Sequence, residues 1–360
     1  MENVIYSIAA AVVGLGLLIV FHEFGHFLLA KLSGVGVLTF SVGFGPKIWV
    51  KKKGETEYAL SAFPLGGYVK MVGEDPDEEV AQADLERSFA HKSLAKRIAI
   101  VVAGPGFNLL LAVFLLIVVF TFYGVPVMST QVSGVEKGSP AERAGIIKGD
   151  QIVAIDGTPV KQWEELSNRI KGSGGKTLTL RLRRGAQTID LAVQPMKKAG
   201  RTIFGEPKDD WIIGIGSQVS IEKGNAGLAV ARAFYQTYDY AKLTLLAFYK
   251  MILGDVSPRN IGGPILIAQM AGQQAQEGLG SFLAFLAVLS INLGVLNLLP
   301  VPVLDGGHLL FFLVEAVIRK PVAIKYREMA QQVGICLLAL LMVYAFYNDI
   351  VRFFEKQVGG

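Results

Sequence analysis

Long apolar segments dominate the pattern of hydrophobic and polar positions along this chain. Four of them are long enough to cross the roughly 30 Å of hydrocarbon in a bilayer: Val4–Ala30, Ile98–Tyr123, Phe282–Ile318 and Val333–Val351. The first has no basic residue before its apolar run and no small-residue cleavage site, so we interpret it as a retained span and not as a secretory signal. The pattern predicts a polytopic α-helical membrane protein with four transmembrane helices.

The segment between the first two spans has a different period. Residues 37–72 alternate like strands around a polar turn at Lys51–Glu57, which indicates a β-hairpin. The ribbon is apolar and rich in glycine, and lipid does not tolerate an open sheet edge, so it must be buried in protein or line a wet cavity. We therefore assign residues 1–123 to two transmembrane helices with a membrane-associated, re-entrant β-hairpin and a cytoplasmic loop between them.

Residues 124–220 have the pattern of a separate β-rich α+β domain. Short apolar runs separated by Gly and Asp turns predict four strands and two helices. The predicted strands are Gln131–Val135, Gln151–Ile155, Thr177–Arg183 and Ile189–Val193, and the predicted helices are Pro140–Ala144 and Trp163–Lys171.

The remaining residues divide into two regions. Residues 221–281 are predicted to form amphipathic juxtamembrane helices, because apolar and aromatic residues recur every three or four positions from Leu228 to Leu253. Residues 282–360 contain the last two transmembrane helices.

Basic residues near the span ends set the expected orientation. None precedes the first span, whereas Lys31 follows it directly, and further Lys and Arg residues lie before the second span and after the third. Lys and Arg concentrate in cytoplasmic loops, so both termini and the β-rich domain are expected outside, in the periplasm of a Gram-negative cell. His22 lies nine residues, or ~13 Å of helix, before Lys31, which places it towards the cytoplasmic side.

Composition agrees with a membrane protein and excludes other classes. The chain is 52% hydrophobic and only 18% charged, unlike an ordinary soluble domain. The net charge of +5 is spread over several loops without a basic stripe, so no nucleic-acid partner is expected. Cys336 is the only cysteine, so no disulfide can form within the chain, and we expect it to be a buried small side chain.

The first span carries the main chemical signal, an HExxH motif at His22–His26. Two imidazoles at positions i and i+4 share one helix face and bind zinc, with the glutamate between them as general base. Here Glu23 is the only charged residue between Val4 and Ala30. The motif therefore predicts hydrolysis inside a membrane, with Glu23 catalytic and one Zn²⁺ per chain.

A catalytic zinc normally has three protein ligands, so one more must come from elsewhere in the chain. Asp305 is our prediction, because a carboxylate in so apolar a segment should be paired with a metal or another charge. Prolines and glycines around it break the helix and favour a wet, protein-lined environment. His308 is the alternative ligand, whereas His91 lies in a polar stretch and is expected at the surface.

These motifs together resemble the site-2 protease family of M50-type intramembrane zinc metalloproteases, and within it the bacterial RseP-like members. The resemblance rests on HExxH in a first span and LDGG at Leu304–Gly307, with further matches at Ala103–Asn108 and Asn297–Pro300. It covers essentially the whole chain. It implies a bacterial inner-membrane enzyme of regulated intramembrane proteolysis, acting on single-pass membrane proteins such as anti-sigma factors or on remnant signal peptides.

The β-rich region resembles one bacterial PDZ domain, through Gly138–Gly145 and Gly149–Gly157. The resemblance implies an extracytoplasmic groove that accepts a peptide as an added strand, often by its C-terminus. One interpretation is that residues 214–216 supply that edge in a permuted arrangement; the alternative is a PDZ fold that acts as a spacer or size filter. The best-known sigma-E regulators carry tandem PDZ domains, whereas this chain has one copy.

Substrate contacts are predicted at Asn292 and Asn297, which could hydrogen-bond the substrate backbone or the developing oxyanion. Hydrogen bonding between helices is the alternative role of both. The hairpin could hold an unwound substrate by edge pairing. Two other functions stay open: a membrane zinc peptidase acting on soluble or unfolded chains, and a non-catalytic PDZ membrane adaptor.

Overall fold

A computed structural model describes residues 2–74, 80–202, 204, 206–222 and 226–358. Parts of the predicted cytoplasmic loop (75–79) and of the predicted juxtamembrane region (223–225) lie outside the described residues. The chain divides into two compact units. The first comprises Met1–Val119, Val230–Phe248 and Ser257–Gly360, and the second comprises Phe120–Ala229 and Tyr249–Val256.

Helices account for most of the first unit. The helices of both units, in chain order along the described residues, are α1 (Glu2–Leu32), α2 (Leu94–Phe122), α3 (Pro140–Arg143), α4 (Trp163–Gly172), α5 (Ala226–Ile252), α6 (Pro264–Glu277), α7 (Leu279–Asn297), α8 (Asp305–Ile318) and α9 (Ile324–Val358). Helices α3 and α4 belong to the second unit. Among the described residues, α1, α2, α7 and α9 are long and apolar enough to cross a membrane. Helix α5 occupies the predicted amphipathic segment.

The predicted third span is not one helix. The predicted span Phe282–Ile318 is divided between two helices: α7 ends at Asn297, and a separate helix α8 of 14 residues begins at Asp305. Two prolines, Pro300 and Pro302, lie in the connection and cannot donate backbone hydrogen bonds. Gly306 lies so close to the backbone of this connection that a Cβ would overlap the carbonyl oxygen of Leu299. The break therefore places Asp305 in the first turn of a helix.

The predicted hairpin is present as β1 (Val37–Lys53) and β2 (Thr56–Met71). Both strands fold back on themselves, so that residues 39–42 pair with 67–70 on one side and with 57–60 on the other. Residues 47–53 pair with 56–61. The order across the sheet is thus 47–53, 56–61, 39–42 and 67–70, which leaves the first and last of these segments as edges.

The second unit contains a sheet with the strand order β10-β3-β4-β6-β7, and β5 pairs with β4. The strands are β3 (Val125–Val135), β4 (Gln151–Ile155), β5 (Thr158–Pro159), β6 (Leu178–Arg184), β7 (Gln187–Val193) and β10 (Ile215–Glu222), with a separate ribbon of β8 (Met196–Arg201) and β9 (Pro207–Ile212). All four predicted strands and both predicted helices are present within two residues, except that β3 begins six residues earlier. The β8–β9 ribbon was not predicted, and β10 extends two residues past the expected boundary at 220. The predicted fold class is confirmed.

The second unit contains an ion pair between the buried carboxylate of Asp150 and the partly exposed guanidinium of Arg184. Arg184 donates from Nε and Nη2 to the two carboxylate oxygens of Asp150, both at 2.8 Å, and the backbone N–H of Ile147 donates to the same carboxylate at 3.0 Å. The Arg184 hydrogen bonds hold the pKa of the Asp150 carboxyl below its usual range, because they stabilise its charged form.

The expectation for Cys336 is wrong. Its side chain is exposed on α9, because most of this helix is not covered by other parts of the protein.

Candidate metal centre and active site

Helix α1 places the two histidines of the HExxH motif side by side. One helical turn separates His22 from His26, and their Nε2 atoms lie 3.2 Å apart. The start of α8 brings Asp305 to the same point: its Oδ2 lies 3.1 Å from Nε2 of His22, and its Oδ1 lies 3.5 Å from Nε2 of His26. The structure therefore brings together the three predicted ligands, with all ligand atoms within 4.8 Å of one another.

The donor set of this cluster fits a zinc ion. Two imidazole nitrogens and one carboxylate leave a fourth position for water, which is the composition of catalytic zinc sites. The cluster is also short of partners. Oδ2 of Asp305 is buried and faces Nε2 of His22 at 3.1 Å; when that nitrogen carries no proton, two acceptors face each other without a hydrogen bond, and a cation between them satisfies both.

Helix α2 packs directly against the two imidazoles at Gly104. A Cβ on this residue would overlap Nε2 of His26 and lie 2.9 Å from Cε1 of His22. Gly25 of α1 lies equally close to the backbone of Ala103 on α2. Two glycines thus allow the helices to approach, and the space that a side chain would fill holds the histidine rings.

The other ring nitrogens are also held by α2. Nδ1 of His26 lies 2.9 Å from the carbonyl oxygen of Ile100, to which it donates when protonated. Nδ1 of His22 lies 3.1 Å from the side-chain amide of Asn108, which is fully buried. A histidine that binds metal through Nε2 carries its proton on Nδ1, and it needs an acceptor there.

The oxygen of the Asn108 amide can be that acceptor. Oδ1 of Asn108 is buried without a hydrogen-bond partner among the described residues. Turning the amide over by 180° brings Oδ1 to the Nδ1 proton of His22 and satisfies both groups. Sequence reasoning missed this role, although a polar side chain inside an apolar span was an available signal.

A cavity of about 310 Å³ lies beside the cluster. Its walls come from α1, β2, the start of α2, the α7–α8 connection and the first turns of α8 and α9. The lining residues include Glu23, Gly67, Tyr68, Val69, Asn297, His308 and Arg327. Edge strand 67–70 runs past Glu23, and a Cβ on Gly67 would lie 2.9 Å from Cγ of that residue. The cavity thus lies between the predicted base and the outer edge of strand 67–70.

The other predicted residues lie as follows. Asn297 lines the cavity, whereas Asn292 accepts a hydrogen bond from Oγ1 of Thr244 at 2.7 Å, which is the contact between helices that the sequence left open. His308 lines the cavity but is not part of the three-residue cluster. His91 is exposed, with Nδ1 at 3.1 Å from Oγ of Ser88.

An ion pair not anticipated from the sequence ties α8 to α2. Arg97 donates to the two carboxylate oxygens of Glu315 at 3.0 and 2.5 Å, and its guanidinium lies 5.0 Å from the ring centre of Phe312. Both charged side chains are largely buried. Because Glu315 and Asp305 share α8, this pair helps to fix the helix that delivers the carboxylate to the histidines.

Taken with the four membrane-length helices, this geometry defines an integral-membrane protein with a candidate metallopeptidase centre. The model of Peptidase family M50 matches residues 10–341. The chain belongs to this family, and its predicted resemblance to the site-2 proteases is confirmed.

Named relatives align with the chain over nearly its whole length. A candidate zinc metalloprotease of Rhizobium meliloti is 37% identical over 97% of this chain and 98% of the relative. The zinc metalloprotease RasP of Geobacillus kaustophilus is 32% identical over 98% of this chain and all of that protein. Among solved structures, the PDZ domain of an SdrC-like protein from Listeria monocytogenes is 23% identical, with a TM-score of 0.20 over 26% of this chain and 90% of that one.

Proposed function

We propose that this chain is an intramembrane zinc endopeptidase that hydrolyses peptide bonds in or near the transmembrane segments of single-pass membrane proteins. Zinc metallopeptidase activity of the site-2 protease type follows from its family. The observation that carries the finer proposal is the location of the cluster. His22 and His26 lie on a helix long and apolar enough to span a bilayer, so the reacting bond must come to them there.

Each residue of the cluster has a distinct role in this proposal. His22, His26 and Asp305 hold the zinc ion. When bound, zinc acts as a Lewis acid that lowers the pKa of water to about 7 and polarises a carbonyl group. The carboxylate of Glu23 accepts the proton of the attacking water and passes it to the leaving amine. The amide of Asn297, which lines the cavity, donates a hydrogen bond to the oxyanion that develops.

Edge strand 67–70 presents the substrate. A transmembrane helix hides its peptide bonds in its own hydrogen bonds, so it must unwind before hydrolysis. An unwound segment can pair with a free strand edge, which replaces the lost backbone hydrogen bonds. The orientation of the backbone N–H groups along this edge supports pairing with the substrate. The N–H of Met71 points away from β1 and donates to Glu74 at 3.0 Å, so the N–H of Val69, two residues earlier, points the same way.

The test compares the wild type with Glu23→Gln in detergent or nanodiscs. Zinc content is measured together with cleavage of a model single-pass substrate. We expect Glu23→Gln to keep zinc and to lose cleavage by at least a hundredfold. Cleavage of casein-like chains without any transmembrane segment, at a rate equal to that of the model substrate, would favour the peptidase of soluble chains. Unchanged processing by Glu23→Gln in cells would favour the adaptor.

The same proposal includes location and orientation. We place the chain in a bacterial inner membrane, with its termini and the β-rich domain outside and the metal centre nearer the cytoplasm. The support is the row of basic residues that begins at Lys31, where α1 ends. Reporter fusions after Leu32 and within 186–206 should report opposite sides of the membrane.

A second site is proposed in the β-rich domain, which has a cavity of about 310 Å³ between α4 and residues 211–216. Its walls are mainly apolar and include Trp163, Ile170 and Ile215. Strand β10 pairs with β3 along one side, so its other side can accept an added strand. We infer that this groove binds a peptide C-terminus, as PDZ domains do. A peptide with an apolar terminal residue and a free carboxylate should bind more tightly than its amide; equal binding, or none, would leave a spacer or size filter.

A further inference from the structure

The outer part of the hairpin sheet carries an apolar band that no described part of the protein covers. We call it the hairpin band, and its members are Phe44, Ile48, Trp49, Val50, Leu60 and Phe63, each between 45% and 70% exposed. They lie at one end of the sheet, where strands 39–44 and 47–53 are joined. Contiguous exposed apolar patches mark interaction sites.

A row of lysines borders the hairpin band on the same strand. Lys51, Lys52 and Lys53 are exposed, and none forms an ion pair with another residue of the described chain. Lys47 differs, because it pairs with Glu57. The strand therefore carries three uncompensated positive charges at one end and apolar side chains at the other.

A contact at the hairpin turn fixes the depth of these lysines. Glu55 accepts a hydrogen bond from Nζ of Lys31 at 2.6 Å, and Lys31 lies in the last turn of α1, where the apolar span ends. Lys51–Lys53 are therefore level with the end of the span. Ile48 lies three residues, or roughly 10 Å, further along the strand. Each headgroup region is only about 5–7 Å thick, so Ile48 reaches the hydrocarbon.

We propose that the hairpin band and Lys51–Lys53 form a binding surface for anionic phospholipids in the leaflet that surrounds the C-terminal end of α1. The band enters the acyl region, and the three ammonium groups bind phosphate headgroups. The surface lies on edge segment 47–53, opposite edge strand 67–70 at the metal centre. Bound lipid thus anchors the sheet from the side that the substrate does not use. The proposal concerns lipid binding and does not depend on the proposed chemistry.

The tryptophans of the chain provide the test. Trp49 lies in the hairpin band, and the other two, Trp163 and Trp211, lie in the second unit. The full chain with Trp163→Phe and Trp211→Phe is placed in phosphatidylcholine nanodiscs containing an equal small fraction of brominated phosphatidylglycerol or brominated phosphatidylcholine. We expect the brominated anionic lipid to quench Trp49 more strongly, and the excess quenching to fall as salt is raised.

Charge removal separates specific binding from simple insertion. The triple change Lys51→Gln, Lys52→Gln and Lys53→Gln should abolish the excess quenching by phosphatidylglycerol while quenching by phosphatidylcholine remains. At about fivefold per lysine, the affinity for the anionic lipid should fall on the order of a hundredfold. The matched control changes three exposed lysines of the β8–β9 ribbon, Lys197, Lys198 and Lys208, to Gln, and it should keep the preference. The triple Lys→Arg variant should keep it too, which guards against misfolding.

Three results would overturn the proposal. They are equal quenching by the two lipids in the starting protein, an excess that survives the triple Gln change, and no quenching of Trp49 by either lipid. The last result would indicate that the surface faces water and does not enter the bilayer. Zinc content, measured on the same samples, shows separately whether the metal centre is intact.

Discussion

The side-chain amide of Asn108 lies 3.1 Å from Nδ1 of His22, while Nε2 of the same ring lies 3.1 Å from Oδ2 of Asp305. The two ring nitrogens thus face different groups, an amide at Nδ1 and a carboxylate at Nε2. Oδ1 of Asn108 has no other partner in the described chain, so it can accept a hydrogen bond from Nδ1 of His22. This bond forms when Nδ1 carries the proton, which leaves Nε2 free for a metal. A residue of α2 therefore selects the ring tautomer that zinc requires.

Replacing Asn108 by Leu should weaken zinc binding by about 10- to 100-fold, since second partners of metal-bound histidines contribute this much. Asn108→Asp keeps an acceptor oxygen and should bind zinc more tightly than Asn108→Leu. Zinc retained against a graded series of chelator concentrations measures the difference. Asn292→Leu is the matched control, because Asn292 bonds to Thr244 and not to the cluster. Equal zinc retention in all variants would refute the role of Asn108.

Gly104→Ala should remove both zinc and activity. Its Cβ would overlap Nε2 of His26 and lie 2.9 Å from Cε1 of His22, so the rings that hold the metal must move. Gly106→Ala on the same helix is the control, since a Cβ there meets nothing within 4 Å. Gly106→Ala should gain up to about 1 kcal/mol in stability from helix propensity and keep its zinc. Metal analysis and thermal unfolding of both purified variants test this contrast.

The sequence predicts those parts of the site that follow from local spacing. Positions 22 and 26 share a helix face wherever the helix lies, and the cost of a carboxylate in an apolar segment points to Asp305. Gly104 and Asn108 could not be predicted in the same way. Their roles depend on how closely α1 and α2 pack, and that distance is set by contacts between residues about 80 positions apart.

Two features of the fold were missed for similar reasons. Strand β1 folds back at Gly43 and Gly45, both with positive φ, and the register of a glycine-rich strand is only weakly specified by its side chains. The β8–β9 ribbon is mostly exposed and charged, so it lacks the apolar alternation that identifies a half-buried strand. Strand β4, which is largely buried, was predicted with its correct bounds.

Acid should destabilise the β-rich domain through Asp150. Its pKa in the folded protein is lowered by Arg184, whereas in the unfolded chain it is about 3.9. The unfolded state then binds more protons, so the stabilisation is fully present above that value and is lost as the pH falls through the folded pKa. Asp150→Asn should cost about 1–3 kcal/mol at pH 7 and flatten this acid dependence.

Urea unfolding of the full chain in detergent measures this effect. The Trp49→Phe background leaves Trp163 and Trp211, both in the second unit, as the fluorescent probes. Asp190→Asn is the control, since that carboxylate also pairs with an arginine, Arg181, but both side chains are about half exposed and solvent screens them. A wild-type acid profile that matches that of Asp150→Asn would contradict the assignment.

Val69→Pro should reduce turnover at least tenfold while zinc stays bound. The N–H of Val69 points away from the sheet at the edge that lines the cavity. Proline therefore removes a donor that pairs with no strand in the described part of the chain but would pair with a bound substrate. Val69→Ala is the control, because it loses the same packing of a buried side chain but keeps the N–H. Tyr68→Pro removes a donor that faces β1 and should instead lower the unfolding temperature. Turnover of a model transmembrane substrate, zinc content and thermal unfolding are measured on all three variants. Equal turnover by Val69→Pro and Val69→Ala would rule out edge pairing through this residue, whatever the chemistry at Glu23.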